Sequence, residues 1–175
     1  LLISCGVAGD QASFEKITIE GELVSKPYID ITISEMVKRG VNARWEDTRS
    51  ISINTSEDYE ASHITIEGDA TAASYAASLA CIHRGQVKFT NLGSNTRQGD
   101  YRFFEVLERL GAEVTRDQTS TLIRGPSRLT TFKSIDMQDM PDVALTLIAL
   151  APLLNEELSI SGLSSLHHKE CDRLE

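Results

Sequence analysis

The sequence predicts an α/β chain made of repeated α/β units, and three observations predict it. The segment YIDITISEMVKRGV (residues 28–41) is matched by YRFFEVLERLGAEV (residues 101–114), each an amphipathic helix pattern running into a glycine. Each helix is flanked by short alternating runs rich in β-branched residues, at 16–23, 42–45 and 50–54 in one copy and at 86–90, 113–115 and 121–124 in the other. A further helix pattern, 69–82, precedes the second copy, and the opening residues of the chain stand in the same place before the first. A unit that recurs in this way builds a fold by stacking on its own copies.

In order, the first helix pattern is introduced by Ser25 and Pro27, a serine suited to an N-cap and a proline whose missing N–H costs nothing in a first turn. Gly40 and Gly111 close the two matched helices at the position where a left-handed backbone is wanted. Residues 62–67 alternate and predict another strand. The seam follows at Glu67-Gly68-Asp69, with Asp69 as the N-cap of a helix so rich in alanine and serine that it is expected to be buried. After the Gly125-Pro126 turn a third, partial unit is predicted. It comprises an extended stretch to Ile135, a helix over 141–153 with Pro141 in its first turn, a strand over 158–161, and a helix from about Ser165 that runs to the last residue.

A chain of 175 residues can bury a core as one domain or two small ones. Its net charge of −9 argues against nucleic acid or an anionic membrane as the main partner, since both reward a basic face. No apolar run approaches the ~18 residues of a membrane helix. Three cysteines, Cys5, Cys81 and Cys171, give neither a paired framework nor a zinc spacing, and fit reduced thiols in the cytoplasm. The start lacks a methionine and the basic region of a signal peptide, and the end falls inside a helix pattern, so the chain reads as a fragment.

Candidate chemistry gathers in the last third. Asp142 sits in the first turn of an otherwise apolar helix pattern. It suits either complementing the helix dipole or acting as a general base in a cleft. Lys169 and Arg173 are four apart, on one face of the predicted helix, with Glu170 adjacent. They form either a solvated charged face or a holder for an anion, the arginine suited to a bidentate carboxylate or phosphate. Ser25 at a helix start suits either capping or phosphate binding. Gln98-Gly99-Asp100 has the same kind of location and reads as structural. His63, His83, His167 and His168 have no ligand spacing, so no metal site is expected.

Five motifs then resemble, in order and at fitting separations, the EPSP synthase family of enolpyruvyl transferases: GELVSKPYID (21–30), EGDATAASY (67–75), QGD (98–100), MPDVALT (140–146) and KECDR (169–173). The resemblance covers essentially the whole chain. It implies helices packed under mixed sheets in the enolpyruvyl transferase fold, present here incompletely. Residues 1–67 would be the last repeat unit of a first domain, and 68–175 the first unit and part of the next unit of a second.

It implies transfer of the enolpyruvyl group of phosphoenolpyruvate to the 5-hydroxyl of shikimate 3-phosphate through a tetrahedral adduct, with no cofactor. Carried over by position, Asp142 would take the hydroxyl proton and Glu170 would act as acid and base on the methylene carbon. Lys169 would contact the 5-hydroxyl, and Arg173 would hold the phosphoenolpyruvate anion. Ser25 would bind the 3-phosphate, with Tyr28 beside it. Where many family members have an asparagine that contacts shikimate 3-phosphate, this chain has Ser165, and His167-His168 replaces a common Arg-Val.

The family's other basic residues are absent, so the fragment alone is expected to be inactive. The partners implied are the two substrates, and either the missing remainder of the enzyme or a second copy of the chain. The residues also admit two other readings. The sister transferase acting on UDP-N-acetylglucosamine is disfavoured by the KPYID and KECDR motifs. The other is a non-catalytic domain of the same repeats that binds an anion or a protein.

Overall fold

A computed structural model describes residues 2–5, 16–54 and 58–175. The chain divides into two compact units, Leu1–Thr65 and Ile66–Glu175. The first holds α1 (Leu2–Cys5), β1 (Lys16–Thr18), α2 (Lys26–Val37), β2 (Ala43–Trp45) and β3 (Ser50–Ile53). Its three strands form an antiparallel sheet in the order β1-β3-β2, in which Ile17 and Trp45 both pair with Ile51. Ile51, Ile53, Ala43, Val41 and Met36 make its core.

The second unit repeats that scheme. It holds α3 (Ala70–Ile82), β4 (Gln86–Phe89), a 3-10 turn Gly99–Arg102 leading into α4 (Phe103–Arg109), β5 (Glu113–Arg116) and β6 (Thr121–Arg124). The sheet order is β4-β6-β5, again antiparallel, so the last strand of each copy is central in both. The two matched helices also end alike. The N–H of Val41 donates to Met36 and that of Gly40 to Val37, while Ala112 donates to Leu107 and Gly111 to Glu108. This is the paired bonding of a Schellman cap, with φ of +90° at Gly40 and +100° at Gly111, a conformation that spares glycine a Cβ clash.

The rest of the second unit is β7 (Ser134–Asp136), a 3-10 turn Pro141–Val143 opening α5 (Ala144–Leu150), a 3-10 turn Ala151–Leu153, β8 (Ser159–Ser161) and a 3-10 turn Ser164–His168. Here β7 and β8 pair in parallel. Phe103, Phe104, Leu107, Leu110, Ile123, Leu147, Leu150 and Leu166 are fully buried, each contributing roughly 1.5–3 kcal/mol of burial to one core. α3 packs close because its inward positions are small: Ala70, Ala73, Ser74, Ala77 and Ser78. At Gly125 the approach is so tight that a Cβ would run into the Ala80 carbonyl.

Several expectations are corrected. Residues 62–67 alternate like a strand but form none, and among the described residues no strand pairs with them. The first predicted strand shrinks to β1. The 141–153 helix is split by 3-10 turns at both ends. The terminal helix is a 3-10 turn that stops at Lys169, which is extended (φ −81°, ψ −162°). Of the expected opening helix, residues 2–5 are helical and 6–15 lie outside the described residues.

Candidate active site

Asp142 is carried by the 3-10 turn in front of α5, with Pro141 supplying the first-turn φ and Val143 and Ala144 buried behind it. The turn Ser164–His168 packs against this one, anchored by the fully buried Leu166. Beyond it the chain folds back, because the Arg173 N–H donates to the Leu166 carbonyl (3.2 Å) and His167 Nδ1 pairs with Asp172 Oδ2 (2.7 Å). That loop, not a helical face, brings the two cations together. Lys169 Nζ lies 3.0 Å from Asp142 Oδ1, and Arg173 Nη1 donates to the same oxygen at 2.9 Å. The Asp142 side chain is 17% exposed, so its single carboxylate bridges both cations in a partly dehydrated setting, with one positive charge left over.

Arg173 has a second acid. Its Nε donates to Glu170 Oε1 (3.1 Å), and its Nη2 donates to both Glu170 oxygens (2.8 Å each). The Glu170 carboxyl is held below the usual range, first by its own backbone N–H and then by Arg173. Its side chain is 68% exposed, so this pairing is readily exchanged for another anion. Arg173 thus makes with Glu170 the fork–fork contact that a guanidinium also makes with a free carboxylate or phosphate.

A cavity of about 710 Å³ opens here, lined by Asp142, Glu170, Arg173, Thr71 and Tyr75 among others. Ser165 Oγ, in the adjoining turn, is buried without a hydrogen-bond partner. Of the residues singled out in the sequence, the second unit therefore brings Asp142, Lys169, Glu170 and Arg173 into one cluster and sets Ser165 in the turn beneath.

Ser25 and Tyr28 belong to the first unit. Ser25 precedes α2 in a left-handed conformation (φ +56°, ψ +37°), and its side chain makes no cap bond, contrary to the plain capping expectation. Around it the first turn is fixed by Lys26 with Asp30 (2.9 Å), by the Trp45 indole N–H donating to Asp30 (2.7 Å), and by the Lys26 ammonium 4.9 Å over the Trp45 ring. Tyr28 is half exposed on the same turn.

Sequence reasoning passed over Asp100 and Thr71. Gln98 has the structural part expected, accepting from the Ala70 N–H (2.8 Å) and donating to the Gly68 carbonyl (2.7 Å). Asp100, two residues on, is a carboxylate only 2% exposed and bonded to the Thr71 hydroxyl. Burial pushes its carboxyl up, the Thr71 bond opposes this, and the charges of Asp142 and Asp69 push it further. The acid itself was visible in the sequence; its burial was not. Among the described residues no three His, Cys, Asp or Glu side chains are grouped as metal ligands. Nor is any described helix long and apolar enough to cross a membrane.

Residues 4–175 match the family model described as EPSP synthase (3-phosphoshikimate 1-carboxyvinyltransferase). A 3-phosphoshikimate 1-carboxyvinyltransferase of Vibrio campbellii is 39% identical over 162 residues, covering 91% of this chain and 37% of its own length. One from Shewanella pealeana is 37% identical over 175 residues, covering 99% of this chain and 40% of its own length. The chain thus spans well under half the length of the curated relatives it matches. Among solved structures, EPSP synthase from Acinetobacter baumannii superposes with a TM-score of 0.66 at 18% identity, covering 90% of this chain and 36% of that one. The enolpyruvyl transferase NikO from Streptomyces tendae gives 0.53 at 12% identity, covering 74% and 32%. At these identities the two structures bear on the fold.

Proposed function

Because the chain belongs to the EPSP synthase family, we propose that its residues serve a 3-phosphoshikimate 1-carboxyvinyltransferase, supplying one side of the site that moves the enolpyruvyl group of phosphoenolpyruvate onto the 5-hydroxyl of shikimate 3-phosphate. The observation that carries this is the convergence of Lys169 and Arg173 on Asp142, with Glu170 on the far side of the same guanidinium. In the addition step the hydroxyl oxygen bonds to the enol carbon, its proton passes to Asp142, and Glu170 protonates the methylene carbon. In the elimination step Glu170 takes a proton back from the resulting methyl group as the carbon–oxygen bond to phosphate breaks, and the hydroxyl proton held by Asp142 leaves with the departing phosphate. Lys169 steadies charge at the hydroxyl, and Arg173 holds the phosphoenolpyruvate anion. Arrival of that anion on Arg173 removes one of the interactions that keep Glu170 ionised, which raises its affinity for the proton it must deliver.

Ser25, with Tyr28 beside it, takes the 3-phosphate in this reading, and Ser165 stands at the family's shikimate 3-phosphate position, where its hydroxyl must turn out of its buried setting to reach the ligand. Residues 1–67 are read as the last repeat unit of one domain, and 68–175 as the start of a second, in a cytoplasmic enzyme without a cofactor. Tyr75 and Leu79 on α3 and Ile148 on α5 are exposed. We take this face to be covered by the rest of the enzyme, or by a second copy when the chain is alone.

The test is a chimaera of the Vibrio campbellii relative in which this chain replaces the matching segment, assayed for phosphate release from the two substrates. Release that disappears with Asp142→Ala and with Glu170→Ala is expected, and little release from the chain alone. A folded chimaera that releases no phosphate would sink the reading.

A further inference from the structure

Beside the ion cluster lies a wall of different polarity. The first N–H groups of α3 are all engaged within the protein: Ala70 with Gln98 Oε1 (2.8 Å), Thr71 and Ala72 with Asp69 Oδ1 (2.8 and 3.2 Å), and Ala73 with the Asp69 carbonyl (2.9 Å). This helix start therefore has no N–H left for an anion, and what it brings to the cavity is the side chains of Asp69 and Thr71. The Thr71 hydroxyl is bonded to Oδ2 of Asp100, whose other oxygen, Oδ1, is buried and unpartnered. A carboxylate can only accept, so the single hydrogen of Thr71 Oγ1 is drawn back into the protein and its remaining lone-pair capacity is left for a ligand.

We infer that Thr71 is a binding residue that accepts a hydrogen bond from a substrate hydroxyl, and that Asp100 is the positioning residue that fixes Thr71 in that orientation. The inference rests on the cavity being the substrate site proposed above. It divides that site into a hydroxyl-accepting wall at Thr71 and an anion-holding wall at Arg173. Asp100 reaches the ligand only through Thr71. It is also framed by the charges of Asp69 on α3, Asp142 on the facing turn and Lys169 beyond it.

The experiment measures binding of two probes by calorimetry, with this chain carried in the chimaera described above: shikimate 3-phosphate, which carries hydroxyls, and phosphoenolpyruvate, which carries none. Thr71→Val should weaken shikimate 3-phosphate about five- to tenfold, as for one lost hydrogen bond, and leave phosphoenolpyruvate within about twofold. Thr71→Ser should restore binding. Asp100→Asn, whose amide can donate to Thr71 and turn its hydrogen outward, should reproduce the Thr71→Val pattern.

A readout that needs no ligand is the titration of the Asp100 carboxyl by carbon NMR, which should move upward in Thr71→Val because the bond that opposes burial is gone. An unmoved titration overturns the positioning role. Equal losses for both probes mean a structural effect and overturn the binding role, as does a Thr71→Val chain that binds shikimate 3-phosphate like the parent. If Arg173→Ala abolishes phosphoenolpyruvate binding while Thr71 matters for neither probe, this inference alone fails. If the unaltered chimaera binds neither probe, the site reading fails with it.

Discussion

Replacing Asp142 with asparagine should make the chain bind anions more tightly while making it less stable. Asparagine keeps the volume and an acceptor oxygen, so what is lost is the charge that Lys169 (3.0 Å) and Arg173 (2.9 Å) share. Two opposite unit charges about 4 Å apart attract by about 1 kcal/mol in water and about 4 kcal/mol at an effective dielectric of 20. With the three side chains 17%, 26% and 21% exposed, the pairs lie between those limits. Part of that attraction is offset by rehydration of the freed cations and by the bond asparagine still accepts. A net loss of about 1–2 kcal/mol remains, lowering the melting temperature by several degrees. The same freed cations should bind inorganic phosphate and phosphoenolpyruvate about five- to tenfold more tightly at low ionic strength, a gain that shrinks as salt is added. Calorimetric titration beside a melting scan reads both. Weaker or unchanged anion binding by a variant that still melts cooperatively would refute the reasoning, because Asp142 would then be orienting the cations for the ligand rather than competing with it.

Three further outcomes are expected. Gly125→Ala, whose Cβ runs into the backbone of Ala80 and Cys81, should destabilise the second unit by about 2–3 kcal/mol in urea. Gly85→Ala, which meets nothing within 4 Å, should change stability little, and similar losses for both would remove the close-packing argument. Of the three thiols only Cys171 is exposed, while burial pushes Cys81 up to about 11, so Ellman's reagent should titrate one thiol rapidly in the folded chain and the others after unfolding. Asp172 is held below the usual range, chiefly by His167. A depressed carboxyl stabilises above its unfolded value and loses that contribution as pH falls through its folded value, so this link should persist at neutral pH and fail only in acid below the ordinary aspartate range. His167→Asn should bring the Asp172 NMR titration back up, and an unchanged midpoint would count against the pairing.

The repeat was legible because its signals are local. A helix pattern, a glycine able to take positive φ and an alternating run each act within a few residues, and Gly40 and Gly111 carry the same pair of cap bonds. The Asp69 N-cap was legible for the same reason, as its side chain accepts from the next turn. Residues 62–67 were misleading because alternation states a preference and a strand needs a partner, which only the fold supplies. Asp100 was passed over because nothing in Gln-Gly-Asp distinguishes a buried carboxylate from a solvated one.

In the KECDR segment the geometric premise of the reading falls. Four-residue spacing placed Lys169 and Arg173 on one helical face, where two cations repel and an anion between them is needed. Lys169 is instead extended and the turn ends there. The backbone then loops until the Arg173 N–H meets the Leu166 carbonyl, and Leu166 is held by the core. The need for an anion survives the change of backbone, because it arises from placing two cations beside each other by whatever route. Asp142 meets it from one side and Glu170 from the other. In the proposed chemistry those two acids are the base for the hydroxyl and the acid for the methylene carbon. The groups that satisfy the cations at rest are therefore the groups an anionic substrate would set free to move protons.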